Sequence, residues 1–198
     1  VIVIASNRGL CGSYNANTVR IGKGALDEAE KAGRGTRLVV AGKKALALLK
    51  FEGRQVQDSI TDLGENPDFA SAERVADQVI RRFVTGETDE VKVAYAKFVS
   101  LGKQVATLDT LLPLALPGSP AGARTGAGAA AAASEDLIYE PSASLLLASL
   151  LPASVKVRLF RCFLDAAASE HVARKTAMKN ATDNADEMIK TLSRFYNR

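Results

Sequence analysis

The chain has 198 residues, 47% of them apolar and 24% charged, enough for one hydrophobic core with a helical appendage. Its net charge of +4 comes from scattered Lys and Arg, with no basic block and no aromatic interleaving, which argues against nucleic acid as a partner. No apolar run reaches the roughly 20 residues that a membrane-spanning helix needs.

Val1 to Ser6 is a nearly unbroken β-branched and apolar run, the pattern of a central strand in a parallel sheet. It lacks the basic start of a signal peptide and has no methionine, so it reads as a strand already in progress, with a native start expected upstream. The loop Asn7 to Ser13 follows, and then a helix from about Asn15 to Lys31, ended by Gly33 and Gly35. Leu38 to Ala41 is the next strand, and Gly42 leads into a short helix, Lys43 to Phe51. Val56 to Ile60 supplies a third strand. A loop at Glu65 to Pro67 precedes a helix from Phe69 to Val84, whose Ala72, Val75, Ala76, Val79, Ile80 and Phe83 share one face.

Glu90 to Ser100 alternates as a strand, and Val105 to Leu114 reads as its antiparallel neighbour across the turn at Gly102. The order predicts an α/β sheet, mostly parallel, with an antiparallel edge. Residues 117–134 are dominated by Pro, Gly and Ala and read as a flexible low-complexity loop without chemistry. Leu137 to Glu140 is a brief strand, and Pro141-Ser142 caps the helix after it. Pro152 closes the apolar run Leu145 to Leu151, and a long helix is expected from Val155 to Phe195. The expected division is therefore a domain over 1–152 and a helix over 153–198.

From Met178 the apolar positions of that helix are Met178, Ala181, Ala185, Met188, Leu192 and Phe195. Spacings of three and four mark a coiled-coil seam, and the two alanines admit a close helix axis. Nothing else in the chain is long enough to cover it, so the covering helix must lie outside this sequence or on a partner.

Catalytic and cofactor signals are weak. The Gly9/Gly12 loop sits where phosphate-binding loops sit, but it is neither GxGxxG nor GxxxxGK[ST]. No acidic residue follows the second strand, where Ala41-Gly42-Lys43 stands. No serine has a GxSxG setting, and His171 has no nucleophile at a recognisable spacing. Cys11 and Cys162 lack CxxC companions, and with one histidine they do not make a zinc site. Two reduced thiols is the favoured reading, with a bridge left open. No catalytic residue, cofactor or metal ligand is assigned.

Two end motifs carry a resemblance. One is Ser6-Asn7-Arg8-Gly9-Leu10-Cys11-Gly12 after an apolar strand, closely followed by Asn15-Ala16-Asn17. The other is Ala168-Ser169-Glu170-His171-Val172-Ala173-Arg174, continuing Ala177-Met178-Lys179-Asn180-Ala181-Thr182-Asp183-Asn184-Ala185. Together, with Gly64-Glu65-Asn66-Pro67 and Leu137-Ile138-Tyr139-Glu140-Pro141 between them, they resemble the gamma-subunit family of rotary F-type ATP synthases over nearly the whole chain.

The resemblance implies a Rossmann-like α/β/α foot domain and a long C-terminal helix forming half of an antiparallel coiled coil. It further implies that the N-terminal partner helix and the C-terminal tip lie outside this sequence. The implied function is that of a central rotor stalk, itself non-catalytic, coupling ion-driven rotation of the c ring to ATP synthesis or hydrolysis on the alpha/beta hexamer. Implied partners are alpha and beta subunits, an epsilon-type stalk subunit and the c ring, with no nucleic acid and no direct membrane insertion. The implied place is the periphery of the bacterial plasma membrane or the mitochondrial inner membrane.

Residue by residue, Arg8, Gly9, Leu10, Cys11 and Gly12 match the loop near the base of the catalytic hexamer. Tyr139 and Glu140 match the segment facing the c ring. Arg174, Lys179 and Asp183 lie on the axle surface. The competing readings are a nucleotide-binding Rossmann-like enzyme, which would bind nucleotide alone, and a coiled-coil scaffold, which would dimerise through the seam.

Overall fold

The computed structural model describes residues 1–61, 67–114 and 142–198. Successive strand side chains point to opposite faces, so Ile2 and Ile4 enter one apolar cluster and Val3 another. Strand β1 (Ile2–Ile4) is thereby covered on both sides and sits mid-sheet, as its unbroken apolar pattern predicts. The other strands are β2 (Val39–Ala41), β3 (Asp58–Ile60), β4 (Val91–Ser100) and β5 (Lys103–Leu112), in the order β3-β2-β1-β4-β5. β1 runs parallel to β2 and β4, β2 parallel to β3, and β4 antiparallel to β5. This is the expected mixed, mostly parallel sheet with an antiparallel edge.

Helices cover both faces. α1 (Tyr14–Lys31) and α2 (Lys43–Phe51) bury Val19, Leu26, Ala45 and Leu49 against Val3, Val40 and Ala94. Gly22 lets α1 lie directly on β1: an added Cβ there would stand 2.5 Å from Val3 Cγ2. On the opposite face, α3 (Phe69–Val84) and α4 (Ala143–Tyr196) bury Ala72, Val75, Val79, Leu159 and Phe163 against Ile2, Ile4, Val93 and Tyr95. Asp68 caps α3 by accepting the Ser71 amide proton at 3.2 Å, and the Ser71 hydroxyl, helped by that amide, holds its carboxyl below the ordinary range. Lys156 of α4 ties the two helices together through Glu73 (2.7 Å) and Asp77 (3.0 Å) of α3.

The expected break at Pro152 is not there. α4 is one helix of 54 residues with Pro152 inside it, about 80 Å long at 1.5 Å rise per residue. Proline removes the amide that would bond to the carbonyl of Ala148. Ala148 is exposed, so water can take that carbonyl, and the helix tolerates the loss. Ser142 caps its start, its hydroxyl accepting the Leu145 amide at 3.4 Å, as the Pro-Ser pair predicts. Among the described residues no helix is long and apolar enough to cross a membrane. The expected loops at 65–66 and 117–134 and the expected strand at 137–140 lie outside the described residues.

Candidate functional site

The loop between β1 and α1 is held from beneath by a side-chain network. Ser6 is fully buried, and its amide donates to Asn15 Oδ1 at 3.0 Å. Its hydroxyl donates to the Arg8 carbonyl at 2.5 Å. Asn15 Nδ2 in turn donates to Cys11 Sγ at 3.1 Å, with Cys11 buried against Tyr14 and Ala96. A second tie crosses to α2, where the Lys43 amide donates to Asn7 Oδ1 at 3.1 Å.

With Cys11 turned inward, the tip is forced outward. Leu10 is 75% exposed and holds φ at +62°, a left-handed conformation that a γ-branched residue adopts only when its surroundings impose it. Arg8 is exposed beside it. The five loop residues thus divide: Arg8 and Leu10 are presented, Cys11 anchors, and Gly9 and Gly12 permit the turns.

α4 crosses the loop and is tied at three places, to the start of α1, to β4 and to the loop itself. Tyr14 donates its hydroxyl to the Ala166 carbonyl at 3.0 Å, and burial pushes its acidity well below that of a free phenol. The fully buried Ser169 donates to the Ala96 carbonyl at 3.0 Å. Arg174 Nε reaches the Gly9 carbonyl at 3.4 Å, while its guanidinium pairs with Glu170 at 2.5 Å, the two side chains 22% and 14% exposed. Arg174 was expected on the axle surface with Lys179 and Asp183. Only the latter two stand exposed on the free helix; Arg174 is turned into the domain.

The same helix lines the crevice where open α/β sheets bind ligands, at the carboxyl ends of the strands. Phe163, Ala166 and Ala167 face Ile4, Ala41 and Gly42 there and leave a cavity of about 40 Å³. A small-molecule site needs roughly 300–1,000 Å³. Among the described residues the crevice leaves too little room for a nucleotide.

A signal missed in the sequence runs along the outer side of α4. Leu150, Val157, Leu164, Met178 and Leu192 are 58, 57, 45, 46 and 61% exposed. They fall on one seven-residue repeat whose remaining members are His171 and Ala185, both exposed. The intervening positions include Leu146, Ala153, Phe160, Ala167, Ala181, Met188 and Phe195. Phe160, edge-on to Phe69, and Ala167, in the crevice, are partly covered by the domain. Both columns of the three-four alternation therefore stand fully exposed only from Met178 upward. His171 and Arg174 interrupt its apolar character, which is why it reads from Met178 onward in sequence. α4 therefore has two apolar faces, one on the sheet and one that is exposed among the described residues. Tyr139 and Glu140 lie outside the described residues.

Cys11 and Cys162 are both free and buried. Burial, with Asp109 nearby, pushes the Cys162 thiol from its ordinary 9.0 up to about 11. A raised thiol pKa contributes stability that is full below pH 9 and lost as pH rises through about 11, because the unfolded thiol ionises first. Native protein at pH 8 is accordingly expected to resist a thiol reagent at Cys162 and to react fully in urea. Rapid labelling of the native thiol, located by peptide mass, would contradict this.

Comparisons with known proteins agree along the whole chain. A family model described as ATP synthase matches residues 1–198. The chain is 38% identical over 198 residues to the ATP synthase gamma chain of Rhodopirellula baltica, covering all of this chain and 66% of that one. It is 38% identical over 197 residues to the gamma chain of Moorella thermoacetica, covering 65% of it. It thus spans just under two thirds of the length of these relatives. Among solved structures, the fold is similar to the central stalk of the Tetrahymena thermophila mitochondrial ATP synthase, with TM-score 0.63, 22% identity, and 91% of this chain and 75% of that chain covered. The Euglena gracilis mitochondrial ATP synthase rotor gives TM-score 0.63 at 20% identity, covering 99% of this chain and 71% of that one.

Proposed function

The chain belongs to the ATP synthase gamma-chain family, and from that premise we propose that it acts in the central rotor stalk. In this reading it couples ion-driven rotation of the c ring to the nucleotide chemistry of the alpha/beta hexamer and makes no bonds itself. The sheet and its helices form the foot, and α4 rises from it as half of the axle.

The observation that carries this is the second, uncovered apolar face of α4. A surface helix of a finished domain shows one apolar stripe; a helix with two must be covered twice. We assign the cover to a helix of the same protein outside this sequence, which fits the greater length of the relatives. The loop with Arg8 and Leu10 is the face offered to the hexamer, and Lys179 and Asp183 lie on the axle above it. Tyr139 and Glu140 remain assigned to the c-ring end. An epsilon-type subunit beside the foot completes the partners. The place in the cell is the periphery of the energy-coupling membrane.

A nucleotide-dependent enzyme is disfavoured by the filled crevice. The test is reconstitution: the protein extended to the length of its relatives, co-expressed with alpha and beta subunits and assayed for ATP hydrolysis. A complex whose hydrolysis depends on this protein is expected. Repeated failure to assemble, with a stable self-dimer through the stripe, would replace the rotor with the scaffold reading.

A further inference from the structure

We propose that the stretch of α4 from Ala166 to Arg174 is a torsional joint, in which Tyr14, Ser169 and Arg174 fix the rotation of the helix about its own axis. This rests on the rotor reading and names the residues through which torque passes between axle and foot. From Met178 to Tyr196 every residue of α4 is exposed, so any torque on the free helix enters the domain just below that point.

The packing at that place is smooth. Ala166 lies in the main core, and Ala173 rests on the small cluster of Cys11, Tyr14 and Ala96. Below it, Leu159 and Phe163 interlock with the core and hold the helix by shape, whereas at Ala166 and Ala173 the small side chains supply little of that hold. Hydrogen bonds are directional and weaken steeply off-axis.

Three of them meet α4 here, each from a different element: the start of α1 through Tyr14, strand β4 through the Ala96 carbonyl, and the β1–α1 loop through the Gly9 carbonyl. Their positions on α4, 166, 169 and 174, are three and five residues apart and spread over an arc of about 140° of the helix. Because Tyr14 and Ser169 are buried, twisting the helix away would strand polar atoms without water. Lower ties exist, from Lys156 to Glu73 and Asp77 and from Arg158 to the Thr110 carbonyl. Lys156 is as sheltered as Arg174, 21% against 22% exposed, so the lower ties share the load, and the three upper bonds are the part of it nearest the free helix. Tyr14, Ser169 and Arg174 are positioning residues: they touch no reacting atom.

The test uses the assembled, membrane-reconstituted complex and reads protons pumped per ATP hydrolysed. Tyr14→Phe with Ser169→Ala removes two pins without changing shape, and adding Arg174→Gln removes the third. The ratio is expected to fall at least about two-fold in the double variant and further in the triple, as the helix slips relative to the foot. Ser154→Ala, which removes a hydroxyl bonded only within α4, is expected to leave the ratio unchanged.

A purely structural role would lower yield or melting temperature and leave the ratio of assembled complexes intact; that result overturns the joint. Should the triple variant not assemble, amide exchange at residues 9–12 of the unassembled chain decides. Exchange faster by about ten-fold supports the joint, and unchanged exchange overturns it. A wild-type chain that never enters a complex overturns the rotor reading and the joint with it, whereas a working wild type with unaffected variants overturns the joint alone.

Discussion

Carboxylates at Leu164 and Leu192 are expected to leave the chain folded and to abolish its incorporation into an alpha/beta complex. Both leucines are on the uncovered stripe, 45% and 61% exposed, so neither substitution opens the core. Covering a leucine is worth about 1.5–3 kcal/mol, and an unpaired ion in an apolar seam costs several kcal/mol more. Two such changes weaken docking of the covering helix by on the order of a thousand-fold or more, at ten-fold per 1.4 kcal/mol, and the complex loses the paired axle it assembles around. Lys190→Gln, on the opposite side of the same exposed helix, should have no effect. Co-purification with alpha and beta subunits checks the first effect, and thermal melting by circular dichroism checks that the fold is retained. If the double variant still co-purified at wild-type level, the stripe would not be a covered seam, and the rotor proposal would lose its main support.

Gly42→Ala is expected to unfold the chain or nearly so. Gly42 joins β2 to α2 with φ at +108°, and a Cβ there would stand 2.2 Å from the Ala5 carbonyl oxygen and 2.7 Å from its carbon. Both atoms are backbone, in the segment that leads from β1 into the loop, and the Ala5 amide is itself tied to the Ala41 carbonyl at 2.8 Å. Neither side can move without opening the sheet. The dihedral strain alone costs about 1–3 kcal/mol, and the clash takes the total past roughly 4 kcal/mol, a large part of a typical domain's stability. Gly24 provides the contrast. It lies in α1 with nothing within 4 Å of a built Cβ, so Gly24→Ala should stabilise the chain by about 0.5–1 kcal/mol. Urea titrations of the two variants would show opposite shifts of midpoint, and a Gly42→Ala midpoint equal to wild type would refute the close approach.

Much of this architecture could be read before any coordinates. The bounds of α2 and α3 are as expected, because each follows a clear break, Gly42 for α2 and Pro67 for α3, and α3 then follows a 3.6-residue apolar stripe. The position of β1 inside the sheet follows from a run with no polar face to spare. β3 was less legible: expected from Val56, it starts at Asp58, because pairing with β2 rather than composition sets where it begins. The helix through Pro152 was misread because proline's cost depends on whether water can take the abandoned carbonyl, which is a property of the surroundings.

The candidate site divides in the same way. Composition and periodicity were enough to give the class of fold, the turn after β1, and an exposed apolar stripe on the last helix, since each of these is a pattern along the chain. They could not show that Cys11 turns inward while Leu10 is pushed out, nor that Arg174 leaves the axle surface to meet Gly9 and Glu170. Nor could they show that α4 fills the crevice that would otherwise take a ligand. Those contacts join residues as far as 165 positions apart. Local pattern carries the energies of neighbours within a few residues, whereas a side chain's direction at such a junction is set by whatever distant element arrives against it.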